Sequence, residues 1–225
     1  MLTEWIIKVG LSYLLGSLVG GLLVGRLHGG VDIRRLGSGN AGGTNALRTQ
    51  GKAFAFWVML IDIGKGWVAT RVVAPFVLPG ASGVAGEGLG APQSHDWLAI
   101  ACGIAVMLGH VYPLWYGFRG GKGVATLVGA VLGLGPALLL PMLGTWLIAV
   151  VLFGYVGLAS MLGAGALAVA AAFGSWEPRA PLVTFGMLTA VLIAFTHRSN
   201  IERMLGGTEP RARRLWLFGL RRGSA

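Results

Sequence analysis

The stretch that decides the fold is a run of 54 residues without a charge, at positions 123–176: GVATLVGAVLGLGPALLLPMLGTWLIAVVLFGYVGLASMLGAGALAVAAAFGSW. A single helix of this length would be about 80 Å long at about 1.5 Å per residue, whereas the hydrocarbon core of a bilayer is about 30 Å thick. The run must therefore fold back on itself as two or three membrane spans. We expect the breaks near Pro136–Pro141 and near Gly157–Ser160.

The positions of the basic residues choose between two and three spans. Arg119 and Lys122 precede the run, and a tail with five arginines follows the last apolar segment, residues 181–196. Basic residues concentrate on the cytoplasmic side of membrane proteins. Three spans in the run, followed by the last one, return the tail to the side of Lys122, whereas two would place it opposite.

Three further spans are expected before the run, at residues 5–25, 54–78 and 97–116. The predicted fold is therefore all-α, a polytopic integral membrane protein with seven transmembrane helices, the amino terminus out and the carboxyl terminus in. This topology puts 14 of the 18 basic residues on the cytoplasmic side. We expect one domain over residues 1–225, with a basic interfacial tail from about residue 210 to 225.

The composition agrees with this class of protein. Hydrophobic residues make up 55% of the 225 positions and charged residues 12%, about half the charged share of a typical soluble domain. The 39 glycines suit close helix packing in lipid, as in the pair Gly129 and Gly133. The net charge is +10, and the basic residues lie between apolar runs. This distribution favours anionic lipids or substrates as partners over nucleic acid. Cys102 is the one cysteine, which excludes a disulfide framework and a cysteine-based metal site.

Three polar segments on the predicted cytoplasmic side carry the candidate chemistry. The first is LGSGNAGGTNALR at residues 36–48, whose glycines, hydroxyls, amides and arginine suit an anion site. Its candidate ligands are Ser38, Asn40, Thr44, Asn45 and Arg48. An ordinary turn with a helix N-cap accounts for the same composition equally well. The segment also matches a dinucleotide-binding pattern, which we reject because no strand precedes it.

The second segment joins GHVYP at residues 109–113 to FRGGKGVAT at residues 118–126. Its glycines and Lys122 stand directly before an uncharged helix, whose N-terminus favours phosphate. The amides of Gly120, Gly121 and Gly123 are the candidate donors. A nucleotide-binding P-loop is excluded by spacing, because Tyr116 occupies the required glycine position. The alternative is a tight turn with two topology-setting charges.

The third segment contains His197 and Asn200, which share a face if they are helical, at the end of the last span. A histidine there suits a base, a proton shuttle or a phosphate donor, and an interfacial polar cap is the alternative. Ser160 lies near a predicted inner turn, where it either completes a polar pocket or caps a helix. Asp62 and Lys65 have the spacing of a structural ion pair within the second span.

In combination, these segments resemble the bacterial acyl-phosphate:glycerol-3-phosphate acyltransferase (PlsY) family over nearly the whole chain. The resemblance is carried by four ordered motifs: GSGNAGGTNALR at 37–48, DIGKG at 62–66, GHVYP with FRGGKGVAT, and HRSNIER at 197–203 with GTE at 207–209. It implies a seven-helix enzyme of the bacterial inner membrane with its active site facing the cytoplasm. The implied reaction transfers an acyl group from acyl phosphate to the sn-1 hydroxyl of glycerol 3-phosphate.

The resemblance also implies roles for individual residues. Acyl phosphate is already activated, so no protein nucleophile, metal or cofactor is expected. Lys122, Thr44, Ser160 and the glycine-rich loop would hold the acyl phosphate, while Ser38, Arg48, His197 and Asn200 would hold glycerol 3-phosphate. The base is either His197 or a phosphate oxygen of the substrate. Glu209 is expected to tether an arginine, and membrane lipids but no obligatory protein partner are implied.

Two other classes of protein compete with this interpretation. A transporter for an anionic solute would also have basic and glycine-rich segments, but its polar residues would gather at the bilayer midplane in paired broken helices. A lipid-binding scaffold would leave all three polar segments without a role. No histidine has an aspartate five residues later, which argues against the acyltransferase class with a His-x4-Asp motif.

Overall fold

The computed structural model describes residues 2–77, 92–213 and 215–217, with side chains of the second range described from Asp96 onward. Within these ranges the protein is all-α, as expected, with short 3-10 turns and no strand. Residues 78–91, from the end of the expected second span onward, and residues 214 and 218–225 of the expected basic tail lie outside the described residues. The helices are α1 (Leu2–Gly16), α2 (Gly20–Leu27), α3 (Gly43–Gln50), α4 (Lys52–Val68), α5 (Pro92–Val111), α6 (Val124–Leu134), α7 (Leu139–Phe153), α8 (Val156–Phe173), α9 (Arg179–Thr196) and α10 (Arg198–Leu205).

Helices long and apolar enough to cross a membrane are found throughout the described chain. Five such segments are Lys52–Val73, Asp96–Tyr116, Pro136–Phe153, Val156–Phe173 and Arg179–Thr196. Helices α1 and α2 make a sixth if they are counted as one span across their 49° bend. Helix α6 is apolar but, at 11 residues, reaches only about 16 Å at about 1.5 Å per residue. The protein is therefore an integral membrane protein, and the count of seven spans and the orientation of the termini stay predictions.

The chain divides into two compact units, Met1–Gly135 and Pro136–Ala225. In the first unit, α1 packs on α5, and α4 packs on α2, α3 and α6. In the second unit, α8 packs on α7 and α9, and α10 contacts both α8 and α9. The single functional domain expected over residues 1–225 stays a prediction.

Glycines bring the helices of the first unit into backbone contact. A Cβ at Gly129 of α6 would collide with the carbonyl of Ile63 in α4, and one at Gly66 of α4 would collide with the carbonyl of Thr126. Gly16 at the end of α1 is pressed in the same way against the backbone of Val106 in α5. Close backbone approach is the contact that helices in lipid require, because apolar burial contributes little there. The packing role expected for Gly129 is confirmed.

The expected span boundaries need two corrections. The first span is not one straight helix over residues 5–25, because it breaks at residues 17–19 between α1 and α2. The second break in the uncharged run lies at Gly154 and Tyr155, not at residues 157–160. Gly154 has a φ of 78°, which only glycine adopts readily, and it ends α7 with its amide bonded to the carbonyl of Val150. The break expected near Pro136 is confirmed by the turn Pro136–Leu138 between α6 and α7.

Candidate active site

The first polar segment is organised around the side chain of Asn45, which is 1% exposed. Its Nδ2 lies 2.9, 3.0 and 2.9 Å from the carbonyl oxygens of Ile33, Leu36 and Asn40. Its Oδ1 accepts a hydrogen bond of 2.9 Å from the amide of Ser38. These contacts engage both ends of the side-chain amide. Asn45 therefore holds the loop in shape, in place of the substrate contact that the sequence suggested.

The other candidate ligands of this segment surround that organised loop. Ser38, Thr44 and Arg48 are exposed, and Asn40 is half-buried. Thr44 and Arg48 lie in α3, which begins after an extended Gly42 and ends at Gln50. Because they are four residues apart in a helix, their side chains lie on one face. Helix α3 thus presents a hydroxyl and a guanidinium on one face, with a second hydroxyl from Ser38 in the loop before the helix.

Arg34 links the first segment to the glycine-rich loop, a role that the sequence did not reveal. Its Nη1 donates to the carbonyls of Tyr116 at 3.2 Å and Arg119 at 2.7 Å. Its Nη2 forms an ion pair of 2.8 Å with Asp32. The hydrogen bond from Arg34 lowers the pKa of Asp32, and the same bond raises the pKa of Arg34. Arg34, two residues before the first polar segment, therefore connects that part of the chain to the glycine-rich loop.

The glycine-rich loop, residues 117–123, is folded back on the end of α5. The amides of Gly120 and Gly121 donate to the carbonyls of Val111 and His110, at 3.0 and 3.1 Å. These two amides are therefore engaged within the protein, which corrects the expectation that they hold phosphate. Gly123 has a φ of 86° and directly precedes α6, so Lys122 stands at the start of that helix, half-buried. The charge of Lys122 therefore lies close to the positive end of the dipole of α6.

Beneath this loop lies a buried cluster of three polar side chains, Asp62, Lys65 and His110. The expected ion pair is confirmed, with Lys65 Nζ 2.9 Å from Asp62 Oδ1. His110 Nδ1 lies 2.8 Å from the same Nζ, a contact that the sequence analysis missed. The available signal was that an ion pair in an apolar span needs further polar partners, and His110 was the one histidine in a neighbouring span.

In the second unit, His197 lies between α9 and α10 rather than within one continuous helix. Its side chain is buried, and its Nδ1 lies 2.8 Å from the carbonyl oxygen of Ile193. A carbonyl only accepts hydrogen bonds, so Nδ1 carries the proton and Nε2 is the nitrogen able to take one up in the neutral ring. The carbonyl of His197 accepts the amide of Asn200 at 2.8 Å, which starts α10.

Asn200 is held by Glu209, as is Arg203. Asn200 Nδ2 lies 2.6 Å from Oε1 of Glu209, and Arg203 Nε lies 2.6 Å from Oε2. The expected tether between Glu209 and an arginine is thus confirmed, with Asn200 as an additional partner. A Cβ at Gly157 in α8 would stand 2.8 Å from Asn200, so α10 seats this side chain directly on α8.

Ser160 and the tail complete the second unit. Ser160 is buried in α8, and its hydroxyl donates to the carbonyl of Val156 at 2.9 Å. The tail covers the end of α7, because the amides of Ala212 and Leu217 donate to the carbonyls of Gly154 and Val151. Arg211 is stacked on the ring of Trp216, with its Cζ 4.1 Å from the ring centroid. These contacts satisfy carbonyls that the end of a helix leaves without intrahelical partners.

A family model described as glycerol-3-phosphate acyltransferase matches residues 6–207. The chain belongs to this family. The match includes the two polar segments of the first unit and both His197 and Asn200, and it ends just before Glu209 and the tail. The expected family resemblance is confirmed.

Similar sequences extend over almost the full chain. A glycerol-3-phosphate acyltransferase of Synechococcus sp. (strain CC9902) is 37% identical over 211 residues, covering 94% of this chain and 96% of that protein. One of Gloeobacter violaceus (strain ATCC 29082 / PCC 7421) is 38% identical over 215 residues, covering 92% and 96%. The two alignments therefore cover almost the whole of each relative.

Two crystal structures of PlsY, an integral membrane glycerol 3-phosphate acyltransferase, have a similar fold. The glycerol 3-phosphate form is 31% identical, with a TM-score of 0.78, over 92% of this chain and 94% of that one. The lysophosphatidic acid form has a TM-score of 0.74 with the same identity and coverage. The likeness of the fold agrees with the membership in the family.

Proposed function

We propose that this protein transfers an acyl group from acyl phosphate to the sn-1 hydroxyl of glycerol 3-phosphate, an early step of bacterial phospholipid synthesis. The observation that carries the proposal is the pair of linked polar segments in the first unit. One segment presents Ser38, Thr44 and Arg48, and the other presents Lys122 at a helix N-terminus. Both substrates carry phosphate, and the chain belongs to a glycerol-3-phosphate acyltransferase family.

The acyl phosphate is assigned to Lys122 and the start of α6. Lys122 and the dipole of α6 supply positive charge where the phosphate leaves, with Thr44, Ser160 and Gly123 as further contacts. Gly120 and Gly121 contribute by keeping the loop close to α5 rather than by donating their amides. The spans expose large apolar side chains, so the acyl chain can lie against them while it remains in the lipid.

Glycerol 3-phosphate is assigned to Ser38, Asn40, Arg48, His197 and Asn200. A guanidinium binds phosphate through two parallel hydrogen bonds, which suits Arg48. The family relationship supports this substrate, because the similar crystal structures include a glycerol 3-phosphate form. Asn45 acts on this site through the shape of the loop.

In the reaction, the sn-1 hydroxyl oxygen attacks the acyl carbon and a new ester bond forms. The bond between the acyl carbon and the bridging phosphate oxygen breaks, and its electron pair leaves with inorganic phosphate. The hydroxyl proton passes either to Nε2 of His197 or to a phosphate oxygen of the substrate. The protein contributes alignment of the two substrates and stabilisation of the charge that develops on the leaving phosphate.

We further propose that the site faces the cytoplasm of a bacterial inner membrane. The support is the charge distribution, since the predicted topology puts 14 of the 18 basic residues on the same side of the membrane as the polar segments. Both substrates would then be reached from the cytoplasm. Cysteine labelling of single variants at Arg213 and Thr3 in intact cells and in lysed cells would test this orientation.

The proposal is tested with the purified protein in lipid vesicles, acyl phosphate and glycerol 3-phosphate. We expect release of inorganic phosphate in equal amount to 1-acyl-glycerol 3-phosphate. Turnover with acyl-CoA but not with acyl phosphate would overturn the donor assignment. Uptake of glycerol 3-phosphate into the vesicles without any acylated product would favour the transporter.

The Lys122→Ala variant tests the phosphate assignment. Without the positive charge of Lys122 beside the leaving phosphate, kcat/KM should fall by about a hundredfold to a thousandfold. The matched control is Lys52→Ala, because Lys52 is an exposed lysine at the start of α4. Equal activities of the two variants would contradict the role of Lys122.

The His197→Ala variant decides which group takes the proton. If Nε2 of His197 is the base, kcat should fall by about a hundredfold or more and the acidic limb of the pH profile should disappear. If a phosphate oxygen is the base, kcat should stay within about threefold of the parent. The Thr196→Val variant is a control for local packing.

A further inference from the structure

The buried cluster of Asp62, Lys65 and His110 has no place in the reaction described so far. All three side chains are deeply buried, with exposed fractions of 1%, 3% and 3%. Nζ of Lys65 lies 2.9 Å from Asp62 Oδ1 and 2.8 Å from His110 Nδ1, and the last two atoms are 3.3 Å apart. Polar groups in a membrane span are costly, so a cluster of three calls for a role.

The hydrogen-bond geometry assigns the charges of the cluster. A lysine ammonium only donates, so the contact of 2.8 Å makes Nδ1 of His110 an acceptor. His110 is therefore neutral, with its proton on Nε2. The carboxylate and the ammonium then cancel, and the cluster has no net charge, which suits its place within the helices.

On one side, the cluster fixes the break between α1 and α2. Nζ of Lys65 donates to the carbonyls of Gly16 and Leu18, at 2.9 and 3.0 Å. Asp62 Oδ1 accepts the amide of Gly20, the first residue of α2, at 3.0 Å. The cluster thus provides partners for backbone groups that the end of one helix and the start of the next leave unpaired.

On the other side, the cluster supports the glycine-rich loop through His110. A Cβ at Gly121 would collide with Nε2 of His110, and one at Gly120 would collide with the carbonyl of His110. The same carbonyl accepts the amide of Gly121 at 3.1 Å. The imidazole therefore lies directly beneath Gly121, and the backbone of His110 lies beneath Gly120, just before Lys122.

We propose that Asp62, Lys65 and His110 are positioning residues that set the place of Lys122 by supporting the glycine-rich loop. They touch neither substrate. The ion pair orients the imidazole, the imidazole supports Gly121, and the loop then presents Lys122 to the phosphate of the acyl donor. This inference rests on the proposed function for its kinetic consequence, but its structural consequence is independent of the donor.

The test compares two variants of His110 in the full-length protein. His110→Phe keeps a ring beneath Gly121 but removes the acceptor for Lys65, and His110→Asn keeps an acceptor near Nδ1 but removes most of the ring. The control is Thr189→Val, because Thr189 is equally buried and bonds only within α9 in the described contacts.

The first readout is hydrogen–deuterium exchange of residues 117–126, which requires no substrate. Both His110 variants should exchange about tenfold faster there than the parent, and Thr189→Val should not. The second readout is the KM for each substrate. The KM for acyl phosphate should rise about tenfold, while the KM for glycerol 3-phosphate should change less than about twofold.

The outcomes separate this inference from the proposed function. A parent protein without turnover of acyl phosphate would overturn the proposed donor, and the exchange result would still decide the role of the cluster. Unchanged exchange in both His110 variants would overturn the positioning role, as would an equal rise of both KM values. If His110→Phe does not fold, His110→Asn decides the question. Its KM for acyl phosphate should rise more than its KM for glycerol 3-phosphate.

Discussion

Two ion-paired clusters in this protein have the same chemistry but very different surroundings. In the first unit, Lys65 and Asp62 form a pair whose side chains are 3% and 1% exposed. In the second unit, Arg203 and Glu209 form a pair at 2.6 Å, with side chains 33% and 7% exposed. Each pair also holds a neutral polar residue of a predicted site region, His110 in one case and Asn200 in the other.

The difference shows how burial changes the consequence of losing one partner. A charge left alone within the apolar helices cannot be solvated, so the remaining partner is strongly destabilising. A charge left alone at a partly exposed position regains water, and the loss is then close to that of a hydrogen bond. The two clusters should therefore respond differently to equivalent substitutions.

The largest effect is expected for Lys65→Met, which leaves Asp62 buried without its cation. The free energy of unfolding in detergent micelles should fall by about 3–5 kcal/mol. The matched control is the double variant Asp62→Asn with Lys65→Met, which removes both charges. It should recover part of the lost stability, and an equally unstable double variant would contradict the electrostatic explanation.

A smaller effect is expected for Glu209→Ala in the second unit. The free energy of unfolding should fall by about 1–3 kcal/mol, because Arg203 can turn to solvent while Asn200 loses a charged partner. The control is Glu202→Ala, an exposed carboxylate in α10, the helix that contains Asn200 and Arg203. If Glu209→Ala were more destabilising than Lys65→Met, burial would not be the variable that ranks the two clusters.

The smallest effect is expected for the pair of Asp32 and Arg34, whose side chains are 29% and 25% exposed. Asp32→Asn should lower the free energy of unfolding by at most about 1 kcal/mol at neutral pH. The folded pKa of Asp32 is lowered by Arg34, so this contribution is present above about pH 4 and is lost as the pH falls further. The free energies of unfolding of the parent and the variant, measured between pH 3 and pH 7 in about unit steps, should become equal at low pH. A difference that grew with acidification would contradict the sign.

Much of the fold followed from the sequence because its signals are strong and local. The uncharged run of 54 residues had to fold back, and the break near Pro136 was predictable from a proline and its neighbouring glycine. The break at Gly154 was misplaced by three residues, because glycines at 154, 157 and 163 offer similar local signals. Packing of the tail on the end of α7 distinguishes the first of these glycines from the others.

The candidate site was only partly predictable. Ser38, Thr44, Arg48 and Lys122 were selected by residue type and spacing, and the first three are exposed. Asn45 was grouped with them because an amide in a glycine-rich loop looks the same in sequence whether it binds substrate or backbone. Its burial and its four hydrogen bonds are tertiary properties.

The sequence by itself determined an integral membrane protein of α-helices, the family, and the residue types available for binding phosphate. Those conclusions depend on hydropathy, charge distribution and ordered motifs, which are properties of the chain alone. The tertiary structure decided which polar residues meet. His110 lies 45 residues from Lys65, and Arg34 lies 82 residues from Tyr116. Contacts over such separations depend on how the helices pack. Close backbone contacts at glycines, such as that of Gly129 with Ile63, determine which helix faces meet.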